Sequence, residues 1–280
     1  MNIIVAIDFS KGSLHALEFA INFANKVRAD IQMIWVNDIN TTETVFSSVA
    51  TELRREKKEI FEKLLTKYRK KLIHGKLGFI LKKGKVHQEI AKHAVSISAN
   101  LIFTGTHGIT GFEEYWIGSN AYRIITYAPC PVITIRNEYK FKKNIEKILF
   151  TVDNSPKNLQ KLETVTEVAK LFNSHVLLLS IYSTSMSSLH RRIDERIEKV
   201  KKHFLKHNIE CSVDKVKTNK IITTVLKYAE KNNVDIISLM TEQEENKAGV
   251  FLGTSVKQII SNSIFPVLCV QPRGINIITK

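Results

Sequence analysis

The chain has 280 residues and a mass of 32.0 kDa; it is 44% hydrophobic and 25% charged, with 11 Gly and only 5 Pro. That balance excludes a disordered, collagen-like or low-complexity chain and leaves room for one large or two modest domains, each with a hydrophobic core. Lys and Arg number 42 against 27 Asp and Glu, a net charge of +15 with a pI near 9.6, so a nucleic acid or an anionic membrane is the first partner class to test.

The N-terminal run Asn2-Ile3-Ile4-Val5-Ala6-Ile7-Asp8 has no basic leader and stops at an acid, which reads as a strand and not as a secretory signal. Ile3–Ile7 is short, apolar and β-branched, as suits a strand covered on both faces. Ser10 or Ser13 caps a helix that carries Leu14, Leu17, Ala20, Ile21 and Ala24 at helical spacing. Strands follow at 31–36, 77–81, 101–104 and 132–136. Helices are predicted over 51–72, 89–99 and 120–127. The second half has the same order, with middle strands at 177–181, 213–216 and 236–239. Strand–helix alternation of this kind implies a parallel sheet with helices on both faces.

The chain also repeats itself. Asn2–Asp8 resembles Lys147–Asp153 at an offset of 145, and Pro131-Val132-Ile133-Thr134-Ile135 resembles Pro266-Val267-Leu268-Cys269-Val270 at an offset of 135. Two homologous domains, 1–139 and 144–280, account for both matches, with the first longer in one mid-domain connection. The charge divides the same way: residues 1–140 carry 20 basic against 13 acidic side chains, and the remainder 22 against 14. The surplus is densest at 54–58, 67–71 and 191–206, on the second helix of each repeat. A solvated helix face accounts for it, and no helix-turn-helix, zinc finger or aromatic single-strand platform accompanies it.

The stretch richest in chemistry is Gly105-Thr106-His107-Gly108, followed by Gly118-Ser119-Asn120, with spacing G-x2-G-x9-G-S between a strand end and a helix start. Glycines let phosphates approach the main chain, amides at a helix N-terminus favour negative charge, and Ser119 adds a hydroxyl. Asp8, at the end of the first strand, faces the same crevice in an open α/β sheet, either toward a ligand or as a cap beside the first helix. The second half keeps Asp153 and Gly253-Thr254. Met240 and Gln243 stand where the first two loop glycines would be, and three acids lie within 241–245.

Asp8, the glycine spacing and Ala128-Pro129-Cys130-Pro131-Val132 together resemble the universal stress protein family, over the whole chain as two tandem copies. The resemblance implies two Rossmann-like domains of the adenine nucleotide alpha hydrolase type, each a five-stranded parallel sheet of order 3-2-1-4-5. It implies ATP or another adenine nucleotide, with Mg allowed, in the N-terminal domain only. Asp8 would meet the ribose or adenosine part, Val36 and Val86 the adenine, and Gly105, Gly108, Gly118 and Ser119 the phosphates, with Thr106, His107 and Asn120 adjacent. Phe9, where a small residue is commoner, and Glu113-Glu114 within the spacer depart from the family pattern.

The resemblance further implies an intramolecular pseudo-dimer through the fifth strands, 132–136 against 267–271, with room for a further homodimer. The chain lacks a G-x4-G-K-[ST] loop, a G-x-S-x-G elbow and an H-E-x-x-H pair, so no catalytic residue or metal ligand is assigned and any hydrolysis is at most slow. Three dispersed cysteines, with no CxxC pair and no apolar run of about 18 residues, suit a cytoplasmic chain. The expected function is a stress-response regulator whose nucleotide state an unknown protein partner reads. The alternative is a nucleotide-free scaffold whose basic helix faces bind an acidic protein, nucleic acid or membrane surface.

Overall fold

The computed structural model describes residues 1–38, 47–106, 117–140, 144–155, 157–241, 243–246 and 249–272. The first half runs β1 (Asn2–Ala6), α1 (Lys11–Val27), β2 (Asp30–Asn37), α2 (Ser47–Tyr68), β3 (Leu77–Lys83), α3 (Val86–Ser96), β4 (Leu101–Gly105), α4 (Ser119–Tyr127) and β5 (Val132–Ile135). The second runs β6 (Lys147–Val152), α5 (Leu162–Phe172), β7 (His175–Tyr182), α6 (Ser187–Lys206), β8 (Cys211–Lys217), α7 (Ile221–Lys231), β9 (Ile236–Met240), β10 (Gln243–Asn246), β11 (Gly249–Leu252), α8 (Thr254–Asn262) and β12 (Val267–Val270).

Among the described residues, ten strands form one sheet in the order β3-β2-β1-β4-β5-β12-β9-β6-β7-β8. Each half is therefore a parallel sheet of order 3-2-1-4-5, as the alternation and the resemblance imply. The two meet at an antiparallel seam: Val267 lies opposite Thr134, Leu268 opposite Ile133 and Cys269 opposite Val132. These strands can be central because they are apolar on both faces. Val132, Ile133, Val267, Leu268 and Cys269 are all at most 1% exposed.

One face of the sheet is covered by α1, α2, α5 and α6, the other by α3, α4, α7 and α8, and each of the two apolar layers runs across both halves. Phe23 of α1 packs on Phe172 of α5 with ring centroids 5.0 Å apart. The offset between repeats is 145 at the end of the second strand (Asn37, Tyr182) and 135 at the start of the third helix (Val86, Ile221), so the extra length lies in the β2–α3 segment.

Three elements differ from the sequence reading. Helix α2, expected over 51–72, runs from Ser47 to Tyr68 and tightens into a 3-10 turn over Arg69–Lys71. Helix α3 starts at Val86, three residues before the first position that its composition suggests. Gly84 turns the chain with φ +141 and Lys85 caps the helix without a side-chain bond, so no Ser, Thr, Asp or Asn announces the start. In the second half, the segment expected as a loop contains an antiparallel hairpin, with Gln243 opposite Leu252 and Asn246 opposite Gly249.

The shared layers make an expected outcome for unfolding. Both tryptophans, Trp35 and Trp116, lie in the first half, whereas Phe172 lies in the second and is 6% exposed. Phe172→Ala should destabilise the protein by about 3–5 kcal/mol, and the urea midpoint followed by tryptophan fluorescence should fall with it. An unchanged tryptophan midpoint would show that the halves unfold independently.

Candidate functional site

The carboxyl ends of β1, β2 and β4, with α3 and the start of α4, enclose a cleft of about 210 Å³. It is the crevice where a doubly wound sheet reverses its strand order. Asp8, Val36, Val86, Gly105, Thr106, Gly118, Ser119 and Asn120 all line it. His107 and Gly108 lie outside the described residues.

Each wall has a local cause. Asp8 Oδ1 accepts the Ser10 amide at 2.9 Å and Ser13 Oγ accepts the Asp8 amide at 3.3 Å, closing a turn in front of α1. Ser10 then caps α1, its hydroxyl accepting the Ser13 amide at 3.2 Å. The turn forces Phe9 to φ +66, which a small residue adopts more easily. The Phe9 ring offsets this by packing edge-on against Phe61 at 5.0 Å. Asp8 therefore serves as a turn former as well as a cleft residue.

Gly105 has a packing reason for its lack of a side chain. A Cβ there would lie 2.7 Å from the carbonyl carbon of Gly12 and 3.0 Å from the Ser13 amide nitrogen, so the end of β4 and the start of α1 touch only through a glycine. Gly118 adopts φ −57 and ψ 144 as the N-cap of α4, its carbonyl accepting the Tyr122 amide at 2.9 Å. Its own amide donates to Thr106 O at 2.8 Å. Ser119, Asn120 and Ala121 form the first turn of α4 and face the cleft, where helix amides have no carbonyl partner within the helix.

The opposite wall is apolar: Ile34, Val36, Val86, Ile90 and Ile124, with Trp35 beside them. Sequence reasoning missed Trp35, Asp38, Ile90 and Ile124. The signal was periodic: Asp38 is two residues beyond Val36 along the strand direction, Ile90 is one helical turn from Val86, and Ile124 one turn from Asn120. At the edge of this wall the His87 ring lies 4.9 Å from that of Tyr127. Burial, then the charges of Arg123 and Lys85, hold His87 below the usual histidine range, against a smaller opposing pull from Asp38. The ring is thus neutral near pH 7.

The second half rebuilds the turn and fills the space beneath it differently. Asp153 Oδ1 accepts the Ser155 amide at 2.8 Å and Asn158 Nδ2 at 3.0 Å. Gly253 repeats the Gly118 backbone, with φ −55 and ψ 144, before α8. Beneath the turn, Lys161 is fully buried, at the position that Ala16 holds in the first half. Its Nζ donates to Thr151 O at 2.8 Å and Asn158 Oδ1 at 3.0 Å and lies 4.4 Å from the Phe150 ring centroid. Thr151 and Asn158 correspond to Ala6 and Ser13, which line the first cleft, so an internal amine ties down the groups that would line a second one.

Among the described residues, no cluster of His, Cys, Asp and Glu fits a metal ion, and no helix is long and apolar enough to cross a membrane. Cys130 and Cys269 are buried, and burial pushes the Cys130 thiol up to about 12 and Cys269 higher still, as suits packing residues.

Comparison with known proteins agrees with the fold. The model of the universal stress protein family matches residues 1–136 and again 144–271. A universal stress protein of Methanocaldococcus jannaschii is 33% identical over 146 residues, covering 49% of this chain and 83% of that protein. The universal stress protein YxiE of Bacillus subtilis is 26% identical over 145 residues, covering 48% of this chain and 97% of that protein. Among solved structures, a universal stress protein from Archaeoglobus fulgidus superposes with a TM-score of 0.74 at 18% identity, over 96% of both chains. A putative universal stress protein from Pseudomonas aeruginosa gives 0.66 at 15%, over 99% of this chain and 94% of that one. At these identities the structural likeness is one of fold.

Lys161 gives a pH dependence. Burial pushes its amine down to about 7, against the opposing pull of Asp153. An unfolded lysine titrates near 10.4, so between these values the unfolded chain holds a proton that the folded chain has lost. Stability therefore rises with pH across that window. Wild type should gain about 2 kcal/mol on Lys161→Met between pH 7 and 9, read from urea unfolding of both proteins. Parallel pH profiles would contradict this.

Proposed function

The chain belongs to the universal stress protein family, and on that premise we propose that its first domain, 1–139, is a regulatory site for ATP or another adenine nucleotide. The second domain, 144–280, is a copy that does not bind nucleotide and that supports the first or presents a surface to a protein partner. The observation that carries this reading is one cleft with two chemically different ends. An apolar slot of Val36, Val86 and Ile90 suits a flat base, and the first turn of α4 behind Gly118 offers amides to an anion. Asp8 and Asp38 lie between and around these ends as acceptors for ribose hydroxyls. The cleft is smaller than the roughly 300–1,000 Å³ of pockets that enclose drug-sized ligands, so the base and sugar fill it while the phosphates extend along the start of α4.

The residues fit a nucleotide and offer little for its hydrolysis. Thr106 and Ser119 supply hydroxyls, and any Mg would be held mainly by the phosphates, with Asp8 a carboxylate of the cleft lining. Binding then acts as a signal: the filled cleft presents a different surface, and a partner in the cytoplasm reads the change. A slow ATPase is compatible with this site.

Asymmetry supports the restriction to the first domain. Where the first domain has its glycine spacing, the second has β10 and β11, three acids between 241 and 245, and Lys161 locked to Thr151 and Asn158. A second reading, a nucleotide-free scaffold, draws on the exposed basic side chains of α2 and α6, such as Arg54, Arg55, Lys201 and Lys202. Retention on heparin that falls steeply with salt, in a chain that binds no nucleotide, would favour it.

Calorimetric titration with ATP should give saturable heat for wild type and none for Gly118→Asp, which sets a carboxylate at the phosphate end. Trp35 lies in the cleft wall, so its fluorescence should follow the same isotherm. No heat above the Gly118→Asp control at millimolar ATP would remove the nucleotide reading.

A further inference from the structure

A hydrogen bond from the first domain to the second lies next to the cleft. Ile117, immediately before Gly118, donates its amide to Ser261 Oγ of α8 at 2.9 Å, a bond that crosses from one half of the chain to the other. Both residues are nearly dry, at 4% and 3% exposure. The neighbouring amide, of Gly118, donates to Thr106 O at 2.8 Å, and the Thr106 amide donates to Ile135 O at 3.1 Å. The connection between β4 and α4 is thus tied at its far end by one bond from its own half and one from the other.

Ser261 is itself held. Arg136, just past β5, donates Nη1 to Ser261 O at 2.9 Å, and the Lys257 ammonium on the same helix lies 5.5 Å from the Tyr122 ring of α4. Helix α8 therefore sits against α4 at a fixed height, with a hydroxyl aimed at the residue that leads into the phosphate end of the cleft.

We infer that Ser261 is a positioning residue for nucleotide binding: the second domain, without a nucleotide of its own, sets where the Gly118–Asn120 amides point. This rests on the reading of the first cleft as an adenine-nucleotide site. A buried amide that loses its acceptor is strongly disfavoured, so without the hydroxyl the Ile117–Gly118 segment moves to find another partner. Oriented amides bind an anion only in the right place; the base and ribose end is built from β1, β2 and α3, whereas the Ser261 bond is made to the residue that leads into α4. The loss is therefore specific to phosphates. Coupling is reciprocal, so a bound nucleotide also tightens α8 against the first domain.

The test compares ATP and adenosine on wild type, Ser261→Ala and Ser261→Thr, using the full chain and calorimetry. Ser261→Ala should weaken ATP by about 5- to 30-fold, the equivalent of one lost buried acceptor. It should weaken adenosine by less than about twofold, and Ser261→Thr, which keeps the hydroxyl, should restore ATP to within about twofold of wild type. Equal affinity of wild type and Ser261→Ala for ATP overturns the inference, as does an equal loss for adenosine. If wild type binds neither ligand, the nucleotide reading falls first and this inference with it. Should Ser261→Ala not fold, hydrogen exchange of wild type decides: ATP should slow exchange in residues 254–262 as well as in 105–119. Protection confined to 105–119 would overturn the coupling.

Discussion

The antiparallel pairing of β5 with β12 is the contact on which the rest of the molecule depends. Each half alone would end in a short strand, apolar on both faces, with one row of unpaired amides and carbonyls, which is an open template for aggregation. Joining the two edges removes that hazard. It also continues the apolar layer on each face from one half to the other, so α1 reaches α5 through Phe23 and Phe172. Because the seam is antiparallel, the halves are related by an approximate twofold axis, and each copy of the fourth helix is brought beside the other. The bond from Ile117 to Ser261 and that from Gln271 Nε2 to Ile125 O, at 3.0 Å, both follow from that placement.

Duplication has kept the frame and released the top. Asp8 and Asp153 make the same turn bond to a serine amide two residues on, and Gly118 and Gly253 share one backbone conformation. These features survive in both halves because folding needs them: a turn must leave the first strand, and the fourth helix must start beyond the sheet. What differs is chemistry. Ala16 is replaced by a buried lysine, and the glycine-spaced connection by one containing a hairpin. The bonds of Asp153 in a half without the glycine spacing show that the aspartate has a structural task, which Asp8 discharges in the first half as well as lining the cleft.

Much of this was legible in the sequence. The β-branched runs ending at Asp8 and Asp153, and the Pro-Val pairs at the fifth strands, carried the repeat, while the strand order and the seam followed from the family resemblance. Eight of the ten residues that the family resemblance implies for the site line one cleft, since they fall at strand ends and helix starts on one edge of the sheet. Less visible were contacts set by the tertiary fold. Gly105 reads as a phosphate glycine, but its side-chain position is closed by α1. Lys161 looks like a surface residue within Asn158-Leu159-Gln160-Lys161, and only the packing of that turn onto Phe150 buries it. Ser261 is an ordinary helix serine until the seam sets it opposite Ile117.

The central claim is a single nucleotide site in a duplicated chain, and stoichiometry tests it most directly. Native mass spectrometry of the intact protein, titrated with ATP, should show one bound nucleotide per chain and no second adduct as the concentration rises. Two nucleotides per chain would mean that the second domain binds despite its hairpin and Lys161, and none would mean that the cleft above β1 and β4 is not a nucleotide site.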